Sequence, residues 1–564
     1  MTKTKYFLIF LPLLLLIIAA VLFLTNGKQA PISKHPGSNV ILIVIDTLRA
    51  DHLGCYGYHR NTSPEIDKLA KEGIVFTDMF AQSSWTKPAT ASILSGLFPK
   101  NHGAHTAEDY LADEINLFSE ILGKHGYRSY AFVTNMFVSD VVGFDQGYNK
   151  FVFFGEKIER GDIYLKADGL NNTLLPFIHQ LEDTSNNFIY IHYTDPHYPY
   201  HSKEKHFSKS NKTTKFGNVI HLAKTLGAMN EEEQRKILEE MVNAYDDEIL
   251  FTDKMIGNLI QALKRKNMYS NSIIIITSDH GEEFFEHGNF THGKTLYDEQ
   301  LRVPLIIRSP GSRHKVIKNI ANQVDILPTI LSLLDIPIPK HIDGIDLLNN
   351  KRTANRESFA ELNYTYSTLS SFRSSQYKLI EGVSLPVQEK EFRWFGDKAV
   401  IEIKDDSIEL VVKSFFKDRT LQVLSDGETI GEFVITTKKQ TFNIPLPGGK
   451  RKKTVTIKTL TPCQVPKELG FNRDKRCLAF RIYNSRNVNI ENLLSGLCKE
   501  YYDLDDDPGE NANHYHQDKS KRIIMAIRKK LKVYLTGKKG IQLIKKKAKF
   551  NEKQKKVLET LGYL

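Results

Sequence analysis

Residues 39–45 read NVILIVI, an almost unbroken run of apolar and mostly β-branched side chains that ends directly before Asp46. Such a run is typical of a strand that is buried on both faces, as in a parallel sheet. Residues 188–193 and 273–276 have the same character. Helical patterns fill the intervals, at residues 65–73, 115–126 and 231–264. This alternation of strands and helices predicts an α/β fold with helices on both faces of one sheet.

Side chains that can bind a metal ion follow two of these strands. Asp46 comes directly after the first run, and Asp279-His280 comes shortly after the third. Because ligands of such sheets bind outside the carboxyl ends of the strands, we expect these three side chains to lie close together. Carboxylate oxygens and an imidazole can hold one divalent metal ion such as Ca, Mg, Mn or Zn. For Asp46 taken alone, a turn or helix-capping role is the alternative.

The segment TKPATASILSG at residues 86–96 is typical of a short helix with a hydroxyl residue at its start. Thr86 is a favourable N-cap, Pro88 fits the first turn, and Gly96 is a typical helix stop. The free N–H groups and the dipole at this end attract an anion, which the threonine hydroxyl could attack. We therefore interpret Thr86 as a candidate nucleophile whose oxygen also completes the metal site. An ordinary N-cap is the alternative interpretation.

Candidate contacts to an anionic substrate surround these residues in the sequence. The segment EEFFEHGNFTHGK at residues 282–294 is rich in His, Gly and charge, as expected of a functional loop. His292 and Lys294 could bind a tetrahedral anion by hydrogen bonds and charge. His197 could do the same or protonate a leaving group, and Lys87 is a further anion contact beside Thr86. Ordinary surface residues of a charged loop are the alternative for the 282–294 segment.

The N-terminal end of the chain indicates a membrane anchor, and the C-terminal end is basic. Residues 6–24 are apolar, follow Lys3 and Lys5, and are long enough to span a bilayer. We predict an uncleaved transmembrane helix with the body of the protein on the extracytoplasmic side, and a cleaved signal peptide is the alternative. The net charge is +11, and the lysine-rich segment 538–556 favours an anionic lipid or polymer surface or else forms a solvated helix face. We expect no nucleic acid among the partners.

The composition changes after residue 380, where short strand-like runs separated by turn signals replace the longer pattern. Six such runs predict a small β-sandwich, at residues 399–403, 407–412, 420–424, 432–436, 441–444 and 454–459. The predicted organisation is a membrane anchor at 1–25, a linker at 26–38, a catalytic domain at 39–386, the β-sandwich at 387–497 and a return segment with a basic helix at 498–564.

Together these segments resemble the sulfatase family of the alkaline phosphatase superfamily. The resemblance is carried, in chain order, by VIDTLRADHLGCYG at 44–57, the segment 86–103, TDPHYPY at 194–200, SDHGE at 278–282, HGK at 292–294 and VDILPT at 324–329. It implies an alkaline-phosphatase-like α/β/α sandwich with the β-sandwich inserted or appended, and a divalent metal ion at the strand ends.

The resemblance also implies roles for individual residues. Asp46, Asp279 and His280 look like metal ligands, and Thr86 stands where the family has its nucleophile. The substrate anion or its leaving group would be contacted by His197, His292 and Lys294. Many sulfatases have two successive Asp residues at the first strand end, where this chain has only Asp46, which implies one metal ligand fewer.

One motif departs from the family pattern. Sulfatases have Cys-x-Pro-x-Arg, or a Ser version, and convert the first residue to formylglycine, whereas this chain has TKPAT at residues 86–90. Threonine cannot form that aldehyde, so a threonyl ester must be cleaved by water or by another acceptor. Relatives that are similar in having threonine here include phosphodiesterases and enzymes that transfer phosphoethanolamine or glycerol phosphate.

We therefore expect a membrane-anchored, metal-dependent hydrolase or transferase that acts on extracytoplasmic phosphoesters through a covalent Thr86 intermediate. The substrate would be an anionic ester such as a lipid head group or a surface glycan. A sulfate ester hydrolase that does not use formylglycine is the first alternative. A catalytically degenerate glycan-binding protein is the second.

Overall fold

The structure is a computed structural model that describes the chain from residue 33 onward with several gaps. The described residues are 33–155, 164–209, 231–287, 289–349, 353, 355–364, 367–383, 392–395, 398–403, 405–414, 417–448, 453–460, 480–483, 497–515, 517, 520–537, 543, 546–552 and 554–555. The predicted anchor and most of the predicted linker lie outside these residues. Among the helices that the structure describes, none combines the length and the hydrophobicity needed to cross a bilayer.

A mixed β-sheet forms the centre of the larger part of the molecule. The first eleven strands are β1 (Asn39–Ile45), β2 (Ile74–Phe80), β3 (Arg128–Val133), β4 (Lys150–Phe153), β5 (Asn187–Tyr193), β6 (Ser272–Thr277), β7 (Glu283–Phe284), β8 (Phe290–Thr291), β9 (Arg302–Arg308), β10 (Lys315–Ile317) and β11 (Ala321–Asn322). The sheet has the order β10-β2-β9-β6-β1-β5-β3-β4, with β11 beside β2, while β7 and β8 pair apart from it. The strands predicted at residues 39–45, 188–193 and 273–276 are confirmed.

The carboxyl ends of three neighbouring strands meet at one edge of this sheet. β1 lies between β5 and β6 and runs parallel to both, with Val44 beside His192 on one side and Thr277 on the other. β9 runs antiparallel to β6 and β2, so the sheet is mixed, although the buried apolar runs are typical of a parallel sheet. The reason is that residues 278–301 return along the carboxyl edge instead of crossing the sheet. This return keeps the loop with the predicted site residues at that edge.

Alternate side chains of β1 enter two apolar cores, one on each face of the sheet. The helices that cover these faces belong to the set α1 (Pro64–Lys71), α2 (Thr86–Ser95), α3 (Pro99–His102), α4 (Phe118–Gly123), α5 (Ala167–Gln180), α6 (Glu231–Arg265), α7 (Asp298–Leu301), α8 (Ile326–Leu333) and α9 (Lys521–Thr536). Val40, Leu42 and Val44 pack with α2, α4 and α8, while the side chains between them pack with α1, α5 and α6. Because a strand covered on both faces needs apolar residues at every position, the NVILIVI run is explained, and the predicted α/β layers are confirmed.

The helix predicted at residues 115–126 is shorter in the structure. Its start is set by Glu120, whose carboxylate accepts a hydrogen bond of 2.9 Å from the Leu117 N–H. The chain leaves the helix at Lys124, and Gly126 has a positive φ of 81°. Local capping therefore limits α4 to about half of the predicted length, whereas the helices predicted at 65–73 and 231–264 are confirmed as α1 and α6.

The C-terminal part of the chain forms three further sheets. Their strands are β12 (Ser358–Tyr364), β13 (Ser367–Arg373), β14 (Tyr377–Val383), β15 (Phe392–Phe395), β16 (Lys398–Ile403), β17 (Ser407–Ser414), β18 (Arg419–Ser425), β19 (Glu428–Ile435), β20 (Gln440–Pro445), β21 (Lys453–Thr459), β22 (Phe480–Tyr483) and β23 (Leu497–Asp503). Sheets β15-β22-β17-β20 and β16-β21-β18-β19 enclose one apolar core with Ile408 and Leu421, as expected of a sandwich. All six strands predicted between residues 399 and 459 are confirmed.

The third of these sheets joins distant parts of the chain. β23 pairs with β14, so the order is β12-β13-β14-β23, and the apolar face of α9 packs against it through Ile524 and Leu531. The return segment therefore completes a sheet that begins before the sandwich. The domain boundaries at 386/387 and 497/498 remain predictions.

Candidate active site

Thr86 begins helix α2 but does not cap it. The N-cap is Trp85, whose backbone is extended, and Thr86 is the first helical residue. The predicted N-cap role of Thr86 is therefore wrong, because its hydroxyl faces the strand ends instead of the N–H groups of its own helix. The Thr86 Oγ1 atom lies 3.3 Å from His280 Nε2, and the side chain is completely buried. Gly96 ends the helix in a left-handed conformation with φ 68°, as predicted.

Three predicted metal ligands meet beside this hydroxyl. Atoms of Asp46, Asp279 and His280 that can bind a metal lie within 4.8 Å of one another, and all three residues are fully buried. His280 Nε2 is 3.7 Å from Asp46 Oδ1 and 3.5 Å from Asp279 Oδ2. Neither of these carboxylate oxygens accepts a hydrogen bond from any residue that the structure describes. Buried carboxylate oxygens in this condition fit a divalent cation.

The other oxygen of each carboxylate is held by hydrogen bonds. The backbone N–H groups of Thr47 and His280 donate to Asp279 Oδ1 at 3.2 Å and 2.8 Å. Asn135 Nδ2 donates to Asp46 Oδ2 at 2.6 Å. Each carboxylate is therefore oriented through one oxygen and directs the other toward the cluster, as expected of supported metal ligands.

The proton position of His280 fits the same function. Its Nδ1 lies 2.9 Å from the Gly281 carbonyl oxygen, which can only accept a hydrogen bond. Nδ1 therefore carries the proton, and Nε2 presents its lone pair to Thr86 and the two carboxylates. This is the tautomer that a metal-binding histidine needs.

Two polar residues of the site escaped the sequence analysis. Asn135 lies two residues after β3, at the same sheet edge as the other strand ends. This position after a strand could have identified Asn135 as a site residue from the sequence. His192 lies inside β5 with its Nε2 3.5 Å from Asp46 Oδ2, and a strand histidine gives no such signal. Both residues act on the first strand end, where the sequence has a single aspartate.

Burial acts to raise the pKa of both aspartates, but the neighbouring groups shift the two pKa values in opposite directions. Burial raises the pKa of Asp279, and the neighbouring charge of Asp46 raises it further. Burial also acts to raise the pKa of Asp46, but the neighbouring imidazoles of His192, His197 and His280 hold it below its usual range. Because the two carboxylates repel each other in a dry environment, an added positive charge would stabilise this arrangement.

His292 lies beside both His280 and His197, the second predicted histidine of the site. The His292 ring is centred 4.4 Å from the His280 ring and 4.8 Å from the His197 ring. His197 Nδ1 lies 2.5 Å from the Tyr198 carbonyl oxygen, and His292 Nδ1 lies 2.9 Å from Glu282 Oε1. Burial lowers the pKa of both imidazoles. The structure thus brings two candidate proton carriers into the same group of rings as His280, which contacts the candidate nucleophile.

Lys294 lies at the edge of this group and is only partly exposed. Its ammonium group donates to the Phe290 carbonyl oxygen at 2.6 Å, which fixes its position within its own loop. Burial lowers the pKa of Lys294 to about 8, against the opposing charges of Glu283 and Glu282. The positive charge of Lys294 is also close enough to lower the pKa of His292. The position of the Lys294 ammonium group near His292 is compatible with the predicted contact to an anion.

Lys87 points away from the predicted anion position. Its ammonium group donates to three backbone carbonyl oxygens of one loop, those of Thr106, Ala107 and Asp109, at 3.3, 2.6 and 2.8 Å. An ammonium has three N–H donors, so these bonds use all of them. The geometry argues against the predicted contact between Lys87 and the substrate, and we assign Lys87 to anchoring the first turn of α2.

A second group of acidic and imidazole side chains does not form a metal site. Glu283, His287 and Glu299 also approach within 4.8 Å of one another. However, His287 Nδ1 is 2.6 Å from Glu299 Oε1 and Nε2 is 3.1 Å from the Glu510 carbonyl oxygen, so both nitrogens face acceptors. Both must carry protons, which leaves no lone pair for a metal. His287 is therefore a buried cation that ties the 282–294 loop to the return segment.

Asp195, the acidic residue after β5, also has a structural role. Its carboxylate accepts the Ala167 N–H at 2.8 Å and lies 3.0 Å from the Lys166 ammonium, which also pairs with Glu248. This buried ion network holds the start of α5 against the loop that carries His197. Asp195 thus positions the site without entering it.

Comparison with known proteins agrees with this geometry. The sulfatase family profile matches residues 38–336. The chain is 25% identical over 358 residues to the uncharacterized sulfatase YidJ of Escherichia coli, covering 56% of this chain and 71% of that protein. It is 23% identical over 446 residues to the arylsulfatase of Clostridium perfringens, covering 66% of this chain and 89% of the other. The phosphonate monoester hydrolase of Agrobacterium radiobacter has the same fold, with a TM-score of 0.54 and 16% identity over 92% of this chain and 99% of that one.

The profile match extends over the strands that end in Asp46, Asp195 and Asp279 and over the whole candidate active site. The predicted family is therefore confirmed: the chain belongs to the sulfatase family of ester hydrolases.

Proposed function

We propose that this protein is a metal-dependent hydrolase or transferase that acts on phosphoesters with Thr86 as its covalent nucleophile. One observation supports this function above all others. The Thr86 hydroxyl oxygen lies 3.3 Å from His280 Nε2, beside a buried cluster that also contains Asp46 and Asp279. A buried hydroxyl beside these ligands has no evident structural use, since it does not cap its helix.

The cluster has the donor set for a divalent cation. Asp46 and Asp279 supply carboxylate oxygens, His280 supplies Nε2, and the Thr86 oxygen completes the set. A bound cation would lower the pKa of the hydroxyl and stabilise negative charge on the group under attack. Because only two of the ligands are negatively charged, a bound divalent cation could still attract an anionic ester at the same site.

The reaction proceeds by two displacements. The Thr86 oxygen, after losing its proton to water, forms a bond to phosphorus as the bond to the leaving oxygen breaks. That oxygen keeps the bonding electron pair and takes a proton from His197 or His292. Water, or an alcohol in a transfer reaction, then attacks phosphorus, loses its proton to the same histidine and releases the Thr86 oxygen.

The identity of residue 86 favours phosphoesters over sulfate esters. A formylglycine hydrate expels sulfate by collapsing to the aldehyde, and a threonyl ester has no such exit. The threonyl ester must therefore be opened by attack at its phosphorus or sulfur atom, which is the ordinary second step of covalent phosphoryl transfer. Lys294 provides positive charge and hydrogen-bond donors for the equatorial oxygens.

Sulfate ester hydrolysis is the second candidate. The similarity to other sulfatases favours it, since the similar protein of Clostridium perfringens is an arylsulfatase. In this case the same residues act on sulfur instead of phosphorus. A glycan-binding protein without turnover is a weaker candidate, because mere binding does not require the complete ligand set of Asp46, Asp279 and His280.

We also propose that the protein acts at the outer surface of the cytoplasmic membrane. The support is the apolar segment 6–24 behind Lys3 and Lys5, which lies outside the described residues. A lipid head group or a surface glycan would then be the nearest source of anionic esters. Fractionation of cells that express the full chain, with protease added from the outside, tests this placement.

Intact-mass analysis of trapped protein is the most direct test of the proposed reaction. Wild type is mixed with aryl phosphodiesters, phosphoethanolamine lipids, glycerol phosphate lipids or aryl sulfates, in the presence of Mn, Mg, Ca or Zn. We expect a phosphoryl-type adduct on Thr86 and none in Thr86→Ala. Ser95→Ala, whose hydroxyl bonds within the last turn of the same helix at 2.6 Å from the Ala91 carbonyl oxygen, serves as the matched control.

Each outcome of this test separates the candidates. A sulfate adduct would replace the phosphoester proposal by the second candidate. Turnover that survives Thr86→Ala would exclude the covalent role of Thr86. Metal-free purified protein that binds glycans without turnover would favour the binding protein.

A further inference from the structure

Helix α9 has a basic outer face on which apolar side chains are also exposed. Its sequence, KRIIMAIRKKLKVYLT, has Lys or Arg at six positions and no Asp or Glu. Seven large apolar side chains are exposed among the described residues, and three of them, Met525, Val533 and Leu535, belong to this helix. Such a concentration on one helix indicates an interaction surface. We propose that the outer face of α9 binds the surface of a membrane that contains anionic lipids. This inference rests on the membrane placement proposed above and not on the reaction at Thr86.

The inner side of α9 is fixed to the rest of the protein. Its buried apolar residues pack on the sheet β12-β13-β14-β23, as described above. Two of its cations are paired on the flanks of the helix, since Arg528 Nε donates to Glu381 Oε1 at 2.8 Å and Lys530 pairs with Glu357. α9 is therefore a rigid element whose orientation is set by the sheet, and its outer face is presented to the surroundings in a fixed way.

Helical spacing places the outer residues in one stripe. Residues three or four positions apart lie on the same side of a helix. This spacing joins five exposed residues, Arg522, Met525, Lys529, Lys532 and Val533. The exposed fractions of Met525 and Val533 are 63% and 65%, so the two apolar side chains extend outward as fully as the cations between them. We call these five residues the outer stripe.

The composition of the outer stripe fits a lipid surface. Lysine and arginine are attracted to anionic head groups, and each raises the affinity by about 5-fold when it lies near the surface. Met525 and Val533 can enter the boundary between the head groups and the acyl chains, as on other basic amphipathic helices that lie in the plane of a membrane. A soluble anionic polymer would use the cations but would offer no apolar phase to these two side chains.

Helix α9 also lies near the point at which the predicted anchor is tethered. Val324, shortly before α8, belongs to the same apolar cluster as Ile527 of α9. At the other end of α8, the Lys34 ammonium group donates to the Ser332 hydroxyl at 2.9 Å. α8 has eight residues and is therefore about 12 Å long. Residues 26–33, between the predicted anchor and this contact, can span at most about 28 Å. The tether is thus long enough for α9 to reach the membrane that holds the anchor.

Photo-cross-linking of the full chain in reconstituted vesicles tests this contact. A photoreactive phenylalanine derivative replaces Met525, or Val434 as a control in the sandwich with a similar exposed fraction of 61%, or Leu15 as a reporter of the predicted anchor. The vesicles consist of phosphatidylcholine with or without phosphatidylglycerol. We expect phosphatidylglycerol to raise the yield of lipid adducts at position 525 by about 10-fold or more, and to change the yields at positions 434 and 15 by less than about 2-fold.

Charge reversal separates electrostatic binding from chance proximity. Lys529→Glu combined with Lys532→Glu should lower the yield at position 525 to that at position 434. Lys417→Glu combined with Lys438→Glu changes the net charge equally, at exposed lysines of the sandwich, and should leave the yield at position 525 unchanged. High salt should lower the yield at position 525 and leave the yield at position 15 unchanged, because salt screens exposed charges.

The outcomes distinguish this inference from the membrane placement on which it rests. A yield at position 525 that is no higher than at position 434, while position 15 still reacts with lipid, would overturn the inference and leave the anchor intact. Lipid adducts at position 525 without any at position 15 would support the inference and reject the anchor. No lipid adduct at either position would reject both.

Two further results would assign the outer stripe to another partner and overturn the inference. Cross-linked protein dimers at position 525, in place of lipid adducts, would make the outer stripe an interface between two copies of the chain. Retention of the full chain on immobilised heparin, without lipid adducts at position 525, would assign it to an anionic glycan.

Discussion

Asn135 Nδ2 donates a hydrogen bond of 2.6 Å to Asp46 Oδ2, which joins the ends of β3 and β1 at the candidate active site. The bond occupies one oxygen of Asp46, and the other oxygen faces Asp279 and His280. Asn135 is nine-tenths buried, so no water competes freely for this contact. The orientation of the first metal ligand therefore depends on a residue that follows β3, a strand separated from β1 by β5.

Removing this bond should weaken metal binding. For Asn135→Ala we expect the dissociation constant for the divalent cation to rise by about 10- to 100-fold, the usual effect of losing a partner of a ligand. Titration calorimetry on metal-stripped protein measures it. Asn171→Ala is the matched control, because Asn171 is a buried amide whose side chain bonds Tyr193 and Met255 instead of a candidate metal ligand. An equal loss of affinity in both variants would contradict a specific role for Asn135.

The repulsion between Asp46 and Asp279 predicts opposite effects of one substitution with and without metal. In the presence of a chelator, Asp279→Asn should melt at a higher temperature than wild type, because one of two buried like charges is removed. With saturating metal, wild type should gain about 2.7 kcal/mol at a concentration 100 times its dissociation constant, and the variant should gain much less. Differential scanning fluorimetry under both conditions measures whether the order of the two melting temperatures reverses when metal is added.

Asp247→Asn is the control for this prediction. The Asp247 carboxylate is buried and accepts the backbone N–H groups of His206, Phe207 and Ser208 at 2.7, 2.8 and 3.0 Å. Its loss should lower the melting temperature under both conditions and leave the response to metal intact. A chelated Asp279→Asn protein that melts below wild type would show that the two carboxylates do not repel each other as inferred.

His287 should make stability depend on pH in the alkaline range. Burial acts to lower its pKa, but the hydrogen bond to Glu299 outweighs it and raises the pKa to about 9 from 6.5. The folded protein therefore keeps a proton that the unfolded chain loses. The resulting stability, on the order of 3 kcal/mol, is complete below about pH 6.5 and is lost as the pH rises through about 9.

Urea unfolding between pH 6 and pH 10 measures this dependence. His287→Gln should flatten the decrease in the free energy of unfolding over this range. His59→Gln, which changes an exposed histidine, should leave the decrease unchanged. A wild-type stability that is constant between pH 6.5 and 9 would contradict the charged state assigned to His287.

Lys87 and Lys294 should respond differently to the same substitution. Lys87→Met leaves three buried carbonyl oxygens without their donor, and we expect the free energy of unfolding to fall by at least about 2 kcal/mol while KM stays nearly constant. Lys294→Met should instead raise KM, because a positive charge beside His292 is lost. Steady-state kinetics together with urea unfolding separate the two. A raised KM in Lys87→Met would instead support the predicted contact between Lys87 and the substrate anion.

The strands and the candidate ligands could be predicted because they depend on local pattern. A strand with an apolar run of seven residues must be buried on both faces of its sheet. The polar residue that follows such a run then lies at the end of the strand. Asp46, Asp279 and His280 were found in this way. The six short strands of the sandwich were found equally well, because alternating side chains and turn residues are also local signals.

Features that depend on contacts between distant segments were not predictable. Thr86 has the residue type of an N-cap, yet its hydroxyl turns to His280, which is 194 positions further along the chain. Lys87 has the charge of an anion contact, yet a loop about twenty residues away provides three acceptors for it. β23 follows the sandwich in the chain but pairs with β14, which precedes the sandwich. No pattern within Leu497–Asp503 indicates that partner.

Local sequence patterns specify the α/β layers, the strand ends and the residue types available for catalysis, because burial and turn formation act on neighbours in the chain. The roles of these residues depend on the packing of distant segments. This packing turns Thr86 to the metal-binding cluster, Lys87 away from it, and Asn135 into a support for Asp46. A side chain binds whatever the fold places within about 3 Å of it, and that distance depends on how separate strands and loops pack together.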